Sequence, residues 1–149
     1  MVRKGVRLFP VGRLDKDSSG LVLLTNDGRV AEALQSPKMK KEKEYLVTLQ
    51  QHVTDEHVTQ LAEGVHITTA VQRGTMRELS GKTLPCVVER VGGSGNELRF
   101  VLTEGRNRQI RVMCAAVGYD VASLQRTRIH GITLGDLAEG MCASLDAAE

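Results

Sequence analysis

Residues 12–28, GRLDKDSSGLVLLTNDG, contain the side chains whose types and spacing are best suited to chemistry. A charged turn, GRLDKDSS, stands between two apolar stretches that alternate like strands. A sheet can hold such a turn at a rigid edge while the turn itself faces solvent. This placement suits a catalytic carboxylate, and Asp15 is the candidate.

Two other interpretations compete for the same segment. Four of its residues match positions 1, 3, 5 and 6 of an EF-hand calcium loop: Asp15, Asp17, Ser19 and Gly20. Position 12 would then be Asn26 instead of a bidentate glutamate, and LVLLT is a strand pattern where a helix should leave, so calcium is disfavoured. Alternatively, Asp15 only forms a turn beside Ser18 and Gly20, and the segment alone leaves this open.

The elements that must position this turn can be predicted from periodicity and end signals. Alternation and β-branched content predict strands at Val6–Val11, Leu21–Thr25, Glu44–Leu49, Cys86–Val91, Glu97–Thr103, Val121–Ile129 and Met141–Leu145. Loops are expected at Ser36–Lys43 and Gly74–Leu84, and at the hairpin turn Gly92–Asn96. A mostly antiparallel mixed sheet with helices packed on it, an α+β fold, follows.

Three helices have recognisable ends. Asp27 caps the first, which runs through Leu34; Thr54 opens the second and Gly64 closes it; Asn107 opens the third and Gly118 closes it. The third helix has a buried stripe, formed by Ile110, Met113, Cys114 and Val117. Arg108 and Arg111 then share a face beside that stripe.

Composition limits the protein class. A chain of 149 residues with 41% hydrophobic content suits one domain over 1–149. No apolar run approaches the roughly 18 residues of a membrane span. The cysteines, Cys86, Cys114 and Cys142, lack zinc-ligand spacing, so no metal and a reducing compartment are expected. The cytoplasm is the default location, although the basic, acid-free first fourteen residues would also be compatible with an organelle.

Positive charge is unevenly distributed although the net charge is only +2. Basic side chains occur without acids before Asp15 and are concentrated again within residues 104–130. Such patches can contact phosphates, or they can simply be solvated faces.

Three ordered blocks then carry a family resemblance. GRLDKDSSGLVLLTNDG, KEYLVTL (residues 43–49) and LTEGRNRQIRVMCAAVGYDVASLQRTRIHGITLGDLAEG (residues 102–140) resemble the RsuA-type branch (RsuA, RluB, RluE and RluF) of the pseudouridine synthases, which modify ribosomal RNA. The similarity runs from about Phe9 to Leu145. The NRQIR form and the GRLDKDS turn look most like enzymes acting on large-subunit ribosomal RNA.

The resemblance implies conversion of uridine to pseudouridine without a cofactor. It makes Asp15 the essential carboxylate, Arg111 its charged partner, and Tyr45 the residue that stacks on the uracil and can assist proton removal from C5. Leu124 would line the base pocket. Without the motifs, these residues would equally suit a helix surface, sheet packing and the core.

A uracil stacked in RNA must be flipped out to reach such a carboxylate. Arg13 could fill the vacated space or hold a phosphate, and other arginines could follow the RNA backbone. The predicted substrate-binding residues are Arg13, Asn107, Arg108, Leu124, Arg126 and Arg128, with Arg106 as a further backbone contact.

The chain departs from the family pattern at its start. An S4-like RNA-binding domain and a strand with a Lys-Pro-x-Gly signature usually precede the aspartate turn, and neither stands before Asp15. We therefore expect a catalytic domain that is partial at its N-terminus, a monomer unless a missing segment or partner subunit completes it. The alternative is an inactive RNA-binding or ribosome-associated domain. Activity is favoured because Asp15, Tyr45 and Arg111 are all retained, and an unneeded buried ion pair costs desolvation energy.

Overall fold

The computed structural model describes residues 5–36, 41–70 and 78–145. The strands in these ranges are β1 (Phe9–Val11), β2 (Ser19–Gly20), β3 (Leu23–Thr25), β4 (Lys43–Leu49), β5 (His66–Ala70), β6 (Glu78–Lys82), β7 (Val87–Arg90), β8 (Glu97–Leu102), β9 (Val121–Ile129) and β10 (Ile132–Thr133). The helices are α1 (Gly28–Gln35), α2 (Asp55–Glu63) and α3 (Gln109–Ala116). None of these helices is long and apolar enough to cross a membrane.

The main sheet has the order β10-β9-β4-β8-β7, and its neighbouring strands are antiparallel. β2 joins the same sheet by pairing in parallel with β9. Two smaller antiparallel sheets are formed by β1 with β3 and by β5 with β6. The predicted α+β fold with a mostly antiparallel mixed sheet is confirmed.

The central pair of strands, β4 and β9, positions the side chains under the candidate site. The alternation of KEYLVTL puts Tyr45, Val47 and Leu49 on one face, and Val47 and Leu49 are fully buried there. Opposite them on β9, Leu124 pairs with Val47 and Arg126 pairs with Tyr45. Cross-strand partners share a face, so Tyr45 and Arg126 lie side by side.

The register of β4 and β9 shifts between Glu44 and Tyr45. Glu44 faces Arg128 and Tyr45 faces Arg126, so β9 places one extra residue at this point. Because Glu44 and Tyr45 project from opposite faces of the sheet, this bulge puts Arg126 and Arg128 on opposite faces as well.

Among residues 5–36, 41–70 and 78–145, two hydrophobic clusters stabilise the fold. The main core lies between the sheet and α2 and α3, with Phe100, Leu61 and Met113 fully buried at its centre. A smaller cluster packs β1, β3 and α1 against the end of β9 through Val11, Leu21, Leu23, Ala31 and Ile129.

Helix ends match the sequence expectations closely. Asp27 caps α1 by accepting a hydrogen bond from the backbone N of Arg29 at 2.9 Å, and Thr54 caps α2 by accepting one from His57. Gly64 closes α2 as predicted. The third helix differs by one residue, because Arg108, in a left-handed conformation with φ 51°, occupies the N-cap position predicted for Asn107.

One strand prediction and one loop prediction are wrong. No strand forms at Met141–Leu145, where the side chains are exposed and make no sheet pairing. Within the predicted loop Gly74–Leu84, residues 78–82 form β6 paired to β5, while residues 74–77 lie outside the described residues. β6 is mostly exposed and polar, so it lacks the apolar alternation by which a strand is recognised.

The remaining differences are at element ends. β1 begins at Phe9 instead of Val6, β3 at Leu23 instead of Leu21, and β4 at Lys43 instead of Glu44. β7 spans Val87–Arg90 instead of Cys86–Val91, and β8 ends at Leu102 instead of Thr103. Of the predicted loop at 36–43, residues 37–40 are outside the described ranges, and Lys43 already belongs to β4.

Candidate active site

The Asp15 turn is fastened to the middle of β9. Ser18 N donates a hydrogen bond to the carbonyl oxygen of Asp15 at 3.0 Å, which closes the turn. β2 then pairs with β9, and Leu21 N donates to the carbonyl oxygen of Arg126 at 2.8 Å. The turn that carries Asp15 is thus attached to the edge of the sheet.

Gly20 allows this close approach of the turn to β9. Its φ is +108°, and a Cβ at this position would lie 2.2 Å from the carbonyl oxygen of Arg126. Only glycine combines that backbone conformation with the absence of a side chain. The pairing of β2 with β9 therefore depends on Gly20.

Asp17 is the best-paired acid in the turn. Arg108 donates to both of its carboxylate oxygens at 2.8 Å, a bidentate contact. Arg111 adds an ionic contact of 3.4 Å from Nε. The hydrogen bonds from Arg108 hold the pKa of the Asp17 carboxyl well below its ordinary range, and the charge of Arg111 contributes. The Asp17 carboxylate is therefore occupied by two guanidinium groups, whereas a calcium loop would need it as a ligand of the ion.

The predicted pairing of Arg111 with Asp15 is wrong in this structure. The guanidinium near Asp15 belongs to Arg108, whose Nη1 lies 3.8 Å from Asp15 Oδ2. Arg111, one turn further into α3, donates from Nη2 to the carbonyl oxygen of Asp17 at 2.6 Å and lies 3.4 Å from Ser18 Oγ. The difference arises because Arg108 stands at the left-handed residue before the helix and extends across the turn. Arg111 therefore fixes the backbone of the turn.

An open cleft of about 320 Å³ lies between the Asp15 turn, the start of α3 and the β4–β9 face. Its floor is formed by Lys43, Tyr45, Leu124, Arg126 and Ile129. One wall comes from the turn, including Arg13, Asp15 and Ser18, and the other from residues 104–106 and 108–111. The structure thus brings together Asp15, Tyr45, Arg111, Arg13, Arg108, Leu124 and Arg126, all of which the sequence had singled out.

Tyr45 presents a neutral phenol to this cleft. Burial raises the pKa of Tyr45 above its usual value, and the nearby positive charge of Arg126 opposes the shift only in part. The hydroxyl is therefore protonated at neutral pH, and the ring is a partly buried apolar surface that a planar base could stack on.

Some predicted substrate-binding residues are not at the cleft. Arg128 lies on the opposite face of the sheet, where it forms ion pairs with Glu42 at 3.1 Å and Glu44 at 3.6 Å. Asn107 is not among the cleft-lining residues. Arg106 lines the cleft, but it pairs with Glu104 and donates to the backbone of β6. The positions of Arg128 and Asn107 therefore do not support RNA binding, and the guanidinium of Arg106 is already engaged within the protein.

Lys43 also lines the cleft, although the sequence motifs did not predict it as a site residue. Burial lowers the pKa of Lys43, and the neighbouring charge of Arg126 lowers it further. A signal was present, because Lys43 stands two residues before Tyr45 in a strand and therefore projects from the same face.

The two arginines on Asp17 give the turn a defined response to pH. Folding lowers the pKa of the Asp17 carboxyl from its ordinary value of 3.8. The stabilisation that the two arginines give is therefore fully present above pH 3.8, and it is lost as the pH falls from 3.8 towards the lowered pKa of the folded state. We expect the melting temperature of the parent chain to exceed that of Asp17→Asn by a constant, small margin between about pH 7 and 5, and the margin to shrink below about pH 4.

Asp136→Asn is the matched control for this measurement, because Asp136 is exposed and has no ion pair within the described residues. A margin that does not change with pH, or one that Asp136→Asn reproduces, would contradict the role of Asp17.

Comparison with known proteins places this geometry in context. Residues 2–116 match the family model described as RNA pseudouridylate synthase. The dual-specificity RNA pseudouridine synthase RluF of Salmonella typhi is 40% identical over 139 residues, which are 93% of this chain and 44% of the relative. Ribosomal small subunit pseudouridine synthase A of Escherichia coli (strain K12) is 42% identical over 135 residues, which are 90% of this chain and 54% of the relative. The chain spans about half the length of these curated relatives.

Solved structures agree with this assignment. A crystal structure of a pseudouridylate synthase superposes with a TM-score of 0.72 at 36% identity, covering 85% of this chain and 50% of that one. Human RNA pseudouridylate synthase domain containing 1 superposes with a TM-score of 0.56 at 18% identity, covering 83% of this chain and 63% of that one, and supports the fold alone.

Proposed function

Because this chain belongs to the RNA pseudouridylate synthase family, we propose that it isomerises uridine to pseudouridine in RNA, with Asp15 as the catalytic carboxylate. The observation that carries the proposal is the juxtaposition of Asp15 with Tyr45 and Leu124 in one cleft of about 320 Å³. Such a cleft has the size of a small-molecule site, so it suits a single flipped nucleotide and not a duplex.

The reaction needs no atom from outside the nucleotide except exchangeable protons. The bond between ribose C1′ and uracil N1 breaks, the base turns, and a bond forms between C1′ and C5. The hydrogen on C5 leaves as a proton and N1 gains one. Asp15 attacks or deprotonates the ribose as the base departs, and the Arg108 guanidinium 3.8 Å away supplies a compensating positive charge.

Tyr45 and Leu124 provide the surfaces that hold the turning base. Tyr45 offers its ring for stacking, and Leu124 excludes water beside it. Since the Tyr45 hydroxyl is neutral, it can donate a hydrogen bond to the base, and it can take the C5 proton only if another group first accepts the phenol proton. Arg13 and Arg108 are exposed at the mouth, where the phosphates of a flipped nucleotide would lie.

Ribosomal RNA is the proposed substrate. One similar relative carries ribosomal small subunit in its name and another is called dual-specificity. The finer prediction from the NRQIR and GRLDKDS forms, large-subunit RNA, remains a proposal that these relatives do not favour over the small subunit.

Release of tritium from RNA labelled at uridine C5 tests the activity, because the isomerisation must expel that hydrogen. We expect the chain to release tritium from a ribosomal transcript labelled at C5 and to retain it when the label is at C6, which the reaction leaves in place. Running small-subunit and large-subunit transcripts in parallel identifies the substrate.

RNA binding measured on the same transcripts distinguishes the proposed enzyme from the alternative, an inactive RNA-binding domain. Binding without release from either transcript would replace the proposed enzyme by a non-catalytic RNA-binding domain. Equal release from the C5 and C6 labels would point to contamination or exchange and would also contradict the proposal.

A further inference from the structure

Arg126 is the most buried charged residue in the cleft, with an exposed fraction of 3%. Its Nε donates a hydrogen bond to the carbonyl oxygen of Leu21 at 2.9 Å, and its Nη1 donates to that of Arg13 at 3.3 Å. Leu21 and Arg13 stand on either side of Asp15 in the sequence. One side chain therefore ties both ends of the catalytic turn to β9.

The third nitrogen of this guanidinium, Nη2, is buried and has no close hydrogen-bond partner in the part of the chain that the structure describes. The guanidinium also lies beside the Tyr45 hydroxyl, where its hydrogen bonding and its charge oppose the rise in the pKa of that phenol. Leaving a buried donor unsatisfied is costly, and more so when the group is charged. A guanidinium has donors only, so whatever completes it must present an acceptor.

The location of Arg126 indicates which acceptor. Arg126 is the cross-strand partner of Tyr45, and both line the cleft floor beside Leu124. A base stacked on Tyr45 would bring its polar edge to this floor, whereas its phosphates would remain at the mouth with Arg13. In uracil, the acceptors on that edge are the two ring carbonyl oxygens.

We propose that Arg126 is a positioning residue that fastens both ends of the Asp15 turn and binds a ring carbonyl oxygen of the flipped uracil through Nη2. This inference rests on the proposed function. The same guanidinium then fixes the carboxylate and the base relative to each other, which is the geometry that an isomerisation at C1′ requires. If the acceptor is O4, Arg126 also disfavours cytosine, which carries an amino group there.

Arg126→Met and Arg126→Lys test the fastening of the turn. Methionine removes all three donor nitrogens, and a compact ammonium cannot reach both carbonyl oxygens of the turn and the base at once. We expect Arg126→Met to lower kcat about 100-fold, as for a misplaced catalytic group, and Arg126→Lys to recover only part of the loss.

Arg99→Met is the matched control. Arg99 also projects from the main sheet, but it pairs with Glu44 and Glu89 away from the cleft. Its replacement should leave kcat unchanged. A kcat for Arg126→Lys equal to that of the parent chain would refute the positioning role, as would equal kcat losses in Arg126→Met and Arg99→Met.

Thiouridine substrates test the contact with the base. RNA carrying 2-thiouridine or 4-thiouridine at the target position replaces one carbonyl oxygen at a time by a weaker acceptor. We expect one analogue to lower the kcat/KM of the parent chain about tenfold, the effect of one lost hydrogen bond. The same analogue should cause no further loss in Arg126→Met, because the two changes remove one interaction.

The base contact would be refuted if each thiouridine analogue lowered the kcat/KM of Arg126→Met by the same factor as that of the parent chain. If Arg126→Met does not fold, judged by circular dichroism, the same comparison is made with Arg126→Lys, which retains the buried charge. A parent chain that releases no tritium from unmodified RNA would instead refute the proposed function itself.

Discussion

Replacement of Asp15 by asparagine is expected to reduce tritium release by about 10⁴-fold or more, the loss typical of removing an essential catalytic group. Asparagine keeps the size of the side chain and removes its negative charge and its ability to attack or accept a proton. The turn should keep its shape, because its closure uses the backbone carbonyl of Asp15 and its anchoring uses Asp17 and Leu21. Melting temperature and RNA binding should therefore remain close to those of the parent chain.

Lys16→Ala provides the control for the Asp15→Asn measurement. Lys16 is the next residue in the turn, is exposed, and does not line the cleft. It should release tritium at nearly the parental rate. A parental rate in Asp15→Asn would remove Asp15 from the mechanism, and an Asp15→Asn chain that is unfolded by circular dichroism would contradict the structural account of the turn.

Gly20→Ala is expected to lower kcat about 100-fold, because it displaces Asp15 without changing any cleft side chain. The added Cβ would lie 2.2 Å from the carbonyl oxygen of Arg126, so the turn or β9 must move. That movement would break the pairing of β2 with β9 and pull the carbonyls of Arg13 and Leu21 away from the Arg126 guanidinium. Tritium release at saturating RNA measures the loss.

Gly118→Ala is the control that distinguishes the collision at Gly20 from the strain of a positive φ. Gly118 also has a positive φ, 88°, but an added Cβ there would meet nothing within 4 Å. Both variants should lose about 1–2 kcal/mol of stability from the strained backbone. Gly20→Ala should lose more than this because its Cβ also collides with the backbone of Arg126, and only Gly20→Ala should lose activity. Equal kcat values for the two variants would show that the turn does not need its contact with β9.

The candidate site was largely predictable because its residues occur in ordered motifs. Asp15 stands in a charged turn between strands, and Tyr45 and Leu124 project from the same face of the neighbouring strands β4 and β9. The ion pairing was not predictable, since helix ends are uncertain by one or two residues. The N-cap of α3 is one residue later than predicted, and the guanidinium near Asp15 belongs to this N-cap residue, Arg108, and not to Arg111.

The position of Arg128 shows a second limit. In a regular strand, Arg126 and Arg128 would share a face, and both would have entered the cleft. The bulge in β9 opposite Glu44 and Tyr45 puts the two arginines on opposite faces. The sequence of residues 127–129, Thr-Arg-Ile, contains no feature that predicts a bulge. The strand β6 was not predicted because its sequence, ELSGK, is almost entirely exposed and has no alternation of apolar residues. Its pairing with β5 stabilises it instead.

The smaller hydrophobic cluster has a consequence for how long the cleft stays assembled. Val11 and Leu21, which lie just before and just after the Asp15 turn, both belong to that cluster and not to the main core. Proteins open locally in cooperative units, and units with few buried contacts open at the lowest free energy. A brief opening of the small cluster would leave the Asp15 turn held only by the pairing of β2 with β9 and by its contacts with Arg108, Arg111 and Arg126, while Tyr45 and Leu124 stay in the folded sheet. The time for which the two halves of the cleft face each other thus depends on these few contacts and on the smaller cluster, and not on the main core alone.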